Sequence, residues 1–500
     1  TGIAYALSLN DHNLTFNGRA EIRSTSSNTE SFVATGFPKG VGAIPSFAYS
    51  FKENSTPGYS ESISRGVSFL GTFNYNYKYR YLFDASLSSD GSTSFGRDKK
   101  FQTFWSVGAG WNVSKESFAK DWDWMQELKL RGSFGSNGNQ NVSNLTSNVY
   151  SYYAGSDIFG TASYLSGYAN PNLEWQVVKK TSVGIDLMFW DNRLLLTMDY
   201  YHTNTNPLVV SIQQKPSSGL STLPINLGHL NTNGFEFNVS WYAIRNLEKR
   251  IMLNFRLNGN TYKSVYGGFG EALANLNDAY KKDSSVDSKL NVNSMIQYQD
   301  GESPTALFAV RSLGIDPATG KEVFLTKNGT PTFDYNADDR VKIADTNPKI
   351  RGVFGISFTY KNLQASVNLR YNLGSFAFNS ALFNKVENIS ASNIAYNQDK
   401  RALYSRWQNA GDVSQFKGIS LTTQTPISSR FVQRDNYLRG ESARISWDFS
   451  RDEWIKRLFL KDLRFNVSFN DFFDLSEMKR ERGTDYPFQR AISFGLSARF

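Results

Sequence analysis

Between Phe69 and Leu87 nearly every odd position is apolar or aromatic (Phe69, Phe73, Tyr75, Tyr77, Tyr79, Tyr81, Phe83, Ala85 and Leu87). The even positions carry Thr72, Asn74, Asn76, Lys78, Arg80, Asp84 and Ser86. A period of two belongs to β-strands, whose side chains alternate between two faces. The stretch is too long for one strand, so it predicts two joined by a tight turn near Lys78. The same alternation recurs at Phe101–Val113, Leu128–Phe134, Val183–Phe189, Leu194–Tyr200, Phe235–Trp241 and Ile251–Leu257. It returns at Phe354–Tyr360, Leu363–Tyr371, Ala443–Phe449, Leu463–Phe469 and Ile492–Phe500. Strands of about 9 to 11 residues with one apolar face and rings near their ends are those that cross a membrane, whereas strands of soluble domains average about 5 to 6.

The connections add a second pattern. Short links fall near Asn10–His12, Lys78, Ser114–Gln126, Trp190–Arg193, Ala243–Arg250, Lys361–Asn362 and Arg451–Lys461. Long ones lie between them, near Ser26–Ile63, Ser89–Lys100, Asn137–Thr181, Thr203–Asn233, Thr261–Lys349, Asn372–Leu438 and Asp471–Gln489. Strict alternation of short periplasmic turns with long external loops describes an outer-membrane β-barrel. Counted from Ile3 there are about fifteen strands, the first running inward, whereas bacterial barrels have even numbers. The expectation is an all-β, transmembrane antiparallel barrel with at least one strand missing on the amino-terminal side. The alternative is a strand miscounted at an element boundary.

Composition narrows the class. Aromatics make up 15% of the 500 residues, yet the mean hydropathy is −0.43. The apolar residues are therefore dispersed. The longest unbroken apolar runs resemble Ala306–Val310, far below the roughly 20 residues of a spanning helix. A 40% hydrophobic content excludes disorder. The absence of cysteine removes disulfide scaffolds, thiolate metal sites and thiol catalysis. Lys and Arg exceed Asp and Glu by 54 to 45, but the surplus is scattered and no nucleic-acid motif accompanies it. The first residues, Thr1–Tyr5, carry no signal-peptide pattern. His12, His202 and His229 lie in no catalytic motif, and the expectation is that the chain is no enzyme.

The last segment, AISFGLSARF, places Ile492, Phe494, Leu496, Ala498 and Phe500 on one face. Phe494, Leu496 and the closing Phe500 resemble the signal that outer-membrane barrels present to their assembly machinery. Five ordered stretches resemble the SusC/RagA family of TonB-dependent transporters: LKLRGSFGSNGNQ (Leu128–Gln140), NPNLEWQVVKKTSVGID (Asn170–Asp186), LGIDPATGK (Leu313–Lys321), DYNADDRVKIADTNPKIRGVFGISFTYKNL (Asp334–Leu363) and RDNYLRGESARISWDF (Arg434–Phe449). The resemblance implies a 22-stranded barrel of which residues 1–500 are the carboxy-terminal part, with the plug domain, amino-terminal extension and TonB box absent from this chain. It further implies uptake of oligosaccharides or oligopeptides, a SusD-like lipoprotein lid, the TonB complex acting through the missing region, contact with outer-membrane lipid and lipopolysaccharide, and a dimer of such pairs. A surface-binding barrel and a passive pore are the alternatives without TonB coupling.

Candidate sites remain. Asp334, Asn336, Asp338 and Asp345 have the spacing of a calcium loop, although Asp339 occupies the sixth position where Gly normally allows the sharp turn, and the twelfth is Asp345 where Glu is usual. No other cofactor is expected. Loop aromatics, chiefly Tyr152, Tyr153, Tyr404 and Trp407, are candidates for stacking on a sugar or peptide; alternatively they hold the loops together. Tyr75, Tyr79, Tyr81, Trp105, Trp111 and Trp241 read as lipid-facing or girdle rings, and Asn74, Asn76 and Arg80 as interior groups.

Overall fold

The computed structural model describes residues 1–40, 44–51, 58–95, 99–139, 148–153, 162–213, 222–272, 277, 295–389, 391, 394–421, 423–450, 452–457, 459–479 and 490–499. Its frame is one antiparallel sheet of 15 strands, each paired with its sequence neighbours. The strands are β1 (Gly2–Leu9), β2 (His12–Ser31), β3 (Gly58–Tyr77), β4 (Tyr81–Ser92), β5 (Phe101–Asn112), β6 (Met125–Asn139), β7 (Gln176–Phe189) and β8 (Leu194–Thr205). They continue with β9 (His229–Asn246), β10 (Ile251–Gly267), β11 (Ile350–Tyr360), β12 (Leu363–Leu373), β13 (Tyr437–Asp448), β14 (Asp462–Ser476) and β15 (Ala491–Arg499). β1 and β15 are the edges of the sheet. Among the described residues no helix is long and apolar enough to cross a membrane.

Register turns the alternation into two continuous faces. From β8 to β15 one cross-strand row reads Leu194, Trp241, Phe255, Ile356, Val367, Ala443, Phe469 and Ile492. On the other face a row from β8 to β13 reads Asp199, Glu236, Asn260, Arg351, Asn372 and Tyr437. A slip of one residue would exchange the faces of a whole strand, so this separation fixes the register. The apolar face is exposed in the isolated chain: Val107, Phe134, Val183, Trp241, Ile445, Phe494 and Leu496 all lie open. A transmembrane antiparallel barrel wall has this form, with the apolar face toward lipid and every backbone group paired within the ladder.

Two expectations need correction. The strands continue beyond the alternating segments: β9 begins at His229 and β2 runs to Ser31, inside the stretch read as loop. Past the membrane neither face needs to be apolar, so the ladder continues with no trace in the alternation. Every residue from Arg23 to Ser31 is exposed. Tyr79 and Arg80 belong to the turn, not to the walls. Tyr79 has φ 54°, and Arg80 reaches Glu116 at 3.3 Å in the next link. Glu116 also accepts hydrogen bonds from the Tyr81 hydroxyl (2.6 Å) and Trp111 Nε1 (3.1 Å), which hold its carboxyl below the usual range.

Candidate functional site

Most of the buried apolar residues lie in the long connections. The run Ala306–Val310, among the longest apolar stretches in the sequence, is buried throughout. Ala306–Ala309 pairs with Val341–Asp345, and Val310 bridges to Ser428 in the connection between β12 and β13. Ser429 N–H donates to the Val310 carbonyl (2.9 Å), and Ser312 N–H to Ser429 Oγ (3.0 Å). Met295, Leu307 and Ala309 form one cluster; Val386, Ile389, Ala402, Phe416 and Phe431 form another; and Phe378 packs against both. The β10–β11 and β12–β13 connections are thereby joined into one assembly above the ends of their strands.

An ionic knot closes that assembly. Arg430, its side chain 12% exposed, donates from Nη2 to Glu322 (2.9 Å) and to Glu387 (2.8 Å). From Nη1 it donates to Glu387 Oε2 (3.1 Å) and to the Gln415 carbonyl (2.7 Å). The carboxylates have further donors: Ser428 Oγ to Glu322 (2.6 Å) and Thr425 Oγ1 to Glu387 (2.9 Å). Buried Arg406 donates to the carbonyls of Ala402 (2.8 Å), Lys417 (3.0 Å), Glu387 (3.0 Å) and Val386. Burial lowers the pKa of the Lys417 ammonium beside them. Buried charges persist only when paired and hydrogen-bonded, and the knot meets both conditions for its two carboxylates.

The polar face of the wall carries an open recess of about 580 Å³. Asp199, Glu236, Asn260, Arg351, Asn372 and Tyr437, one cross-strand row, line it where β11, β12 and β13 meet the loop assembly. Arg351 Nε donates to Asn260 Oδ1 (3.2 Å). Beside the recess Arg131 grips Asp186 with two hydrogen bonds (2.8 and 3.0 Å) and reaches Asp199 at 3.1 Å. Both signs of charge and several amides converge here, which suits a polar ligand or a polar protein surface.

Among the described residues the candidates named from sequence do not assemble into one site. Trp407 donates from Nε1 to the Pro317 carbonyl (2.8 Å), and its ring sits where a Cβ on Gly320 would fall, 2.4 Å away; Gly320 has φ +67°. It therefore clamps the Asp316–Lys321 turn. Tyr404 is 78% exposed. Tyr152 and Tyr153 pair with Ser163 and Ala162 in a separate hairpin, and their side chains lie outside the described residues. The calcium spacing does not become a ring of ligands. Asn336 Oδ1 caps the Ala337–Asp339 turn through Asp338 N–H (3.0 Å), and Asp345 accepts from Thr305 Oγ1 (2.6 Å) and Asn347 N–H (2.9 Å). Asp334 and Asp338 are exposed, and among the described residues no three His, Asp or Glu side chains gather as a metal site. The three histidines are dispersed: His12 meets Tyr75 (2.9 Å) at the short-turn end, His202 meets Asn233 (2.8 Å), and His229 packs at Gly267. Phe494 and Leu496 stand on the apolar face of β15, opposite Val467 and Phe465; Phe500 lies outside the described residues.

Sequence reading missed Glu322, Glu387, Arg406 and Arg430. Their partners are far away in the chain, and no spacing rule joins them. The one available signal was Ala306–Val310, an apolar run without alternation inside a segment otherwise read as loop.

A family model described as TonB dependent receptor-like, beta-barrel matches residues 2–304. TonB-dependent receptor P3 of Formosa agariphila is 26% identical over 436 residues, 84% of this chain and 41% of that protein. TonB-dependent receptor SusC of Bacteroides thetaiotaomicron is 25% identical over 459 residues, 87% of this chain and 44% of that protein. The chain thus spans less than half the length of these curated relatives. The structure of the RagAB peptide transporter superposes with a TM-score of 0.79 at 19% identity, covering 95% of this chain and 51% of that one, a likeness of fold.

Proposed function

The chain belongs to the TonB-dependent receptor β-barrel family of the outer membrane, and from that premise we propose that it is the carboxy-terminal wall and external loop assembly of a SusC-type nutrient importer. In this reading the 15 strands are part of a 22-stranded barrel whose remaining strands close the gap between β1 and β15. A plug fills the lumen against the polar face, and TonB acts on that plug. A SusD-like lipoprotein covers the external side, and the cargo is an oligosaccharide or an oligopeptide. The carrying observation is that the long loops fold around their own core and ionic knot, which holds a rigid external rim over a polar wall. A bare pore has no use for such a rim. Phe494, Leu496 and Phe500 would serve the barrel-assembly machinery. The reading contains no chemical step: the wall excludes lipid, presents polar groups to cargo and plug, and stays rigid while the plug moves.

The test is uptake by cells carrying the intact receptor. Labelled oligosaccharide and oligopeptide mixtures should enter only while the membrane is energised, and a lipoprotein should co-purify. Uptake that persists after a protonophore would leave a passive pore; surface binding with no uptake would leave a binding barrel.

A further inference from the structure

The short-turn end carries a feature that transport does not use. Ile251 of β10 pairs with Tyr360 of β11, so the β9–β10 and β11–β12 turns lie side by side, joined by the Lys361 N–H and the Arg250 carbonyl at 3.0 Å. Between them is an open hollow of about 570 Å³, lined by Glu248, Lys249, Arg250, Ile251, Tyr360 and Lys361. Three cations face one acid, and among the described residues none of the three cations has an ion-pair partner. Ile251 and Tyr360 belong to the apolar face, so the hollow opens where that face gives way to water. Lys361 Nζ sits over the Tyr360 ring, 5.4 Å from its centroid. Arg250 and Lys361 have φ values of 53° and 52°. That region is taken most readily by Gly, Asn and Asp, so turn chemistry alone does not select two long cations there.

We propose that this hollow binds the headgroup phosphate of an anionic glycerophospholipid in the leaflet on the short-turn side. Lys249, Arg250 and Lys361 surround the phosphate. Tyr360 takes the glycerol level, where interfacial tyrosines reside, and Ile251 meets the first acyl carbons. The inference rests on the outer-membrane reading above.

The experiment uses the intact receptor, purified in mild detergent with equal amounts of phosphatidylglycerol and phosphatidylcholine, and counts retained lipid by native mass spectrometry. The wild type should retain phosphatidylglycerol in preference to phosphatidylcholine. Each of K249Q, R250Q and K361Q should lower that retention by about fivefold, the value of one surface charge, while K361R keeps it. Equal retention of the two lipids, or a triple variant indistinguishable from wild type, overturns the proposal. So does displacement by sn-glycerol 3-phosphate as effective as by the lipid, which would assign a free phosphate. Retention that survives in the triple variant while a periplasmic protein ceases to co-purify would assign a protein partner. Heat-modifiable mobility on gels reports the barrel separately: its absence in the wild type defeats the outer-membrane reading, and its loss in the triple variant moves the comparison to K361Q against K361R.

Discussion

The sheet and the loop assembly differ in where they hide apolar surface. On β8–β15 Trp241, Phe255, Ile356 and Val367 all point to the outside of the wall, and the apolar face is covered only when lipid is present. In the β10–β11 and β12–β13 connections Phe308, Val310, Phe416 and Phe431 are buried by the protein itself. Lipid solvates apolar side chains as well as a protein core does, so the wall needs no core and is held by its ladder. The loops stand in water, where only mutual burial keeps their rings dry. Their backbones differ as well. The short turns use Asn10, Lys78, Trp190, Asp191, Asn192 and Lys361 at positive φ, whereas the positive-φ glycines fall in the long connections. A hairpin turn repeats one local geometry, while a loop that must pack against another needs many.

This contrast predicts that damage to one region leaves the other intact. Arg430→Met leaves Glu322 and Glu387 buried without their cation and should destabilise the loop assembly by about 3 to 5 kcal/mol. Hydrogen exchange would show faster opening at 306–345 and 376–434, with the barrel still heat-modifiable. If the barrel is lost as well, the two regions are one cooperative unit. On the wall, Val367→Arg places a charge in the lipid-facing row and should reduce barrel stability in urea by about 2 to 4 kcal/mol, with the loop assembly still protected from exchange.

The loops should show a pH effect at high pH. Burial raises the Tyr335 phenol to about 12, with nearby Glu322 acting in the same direction and Arg340 against both. Because the folded pKa lies above the unfolded value near 10, the phenol's contribution is complete below pH 10 and is lost as pH rises through about 12. Loop protection should therefore decline over that range, and Tyr335→Phe should abolish the decline. Asn336→Ala removes the cap of the Ala337–Asp339 turn and should cost about 1 kcal/mol locally, readable as faster exchange at Asp338. The smallest effect is expected from calcium: adding it, or adding a chelator, should leave exchange across 334–345 unchanged, and saturable protection there would overturn the reading of Asn336 and Asp345 as turn and hairpin residues.

Legibility followed the same division. The alternation around Tyr75, Phe83 and Leu87, the turn at Lys78 and the order of short and long links were readable because a lipid-facing strand imposes period two on every residue it holds in the membrane. The extension of β2 to Ser31 was not, because above the membrane that demand ends. The Asp334–Asp345 spacing suggested a cation, yet the Asn336 and Asp345 side-chain oxygens accept from backbone N–H groups and the Thr305 hydroxyl, as acids and amides in turns commonly do. Trp407 reads from sequence either as a ligand platform or as a ring that holds loops together; its indole N–H donates to the Pro317 carbonyl, a contact between separate connections that no sequence spacing shows.

By itself, then, the sequence determined the wall: the strands, their alternating direction and the separation of an apolar from a polar face follow from neighbours one and two residues apart and from the order of short and long links. Only the tertiary structure decided the rim. The meeting of Glu322, Glu387 and Arg430, the burial of Ala306–Val310 and the row from Asp199 to Tyr437 bring together residues from separate connections or strands. Their proximity depends on how whole loops and strands pack, and no local period encodes that.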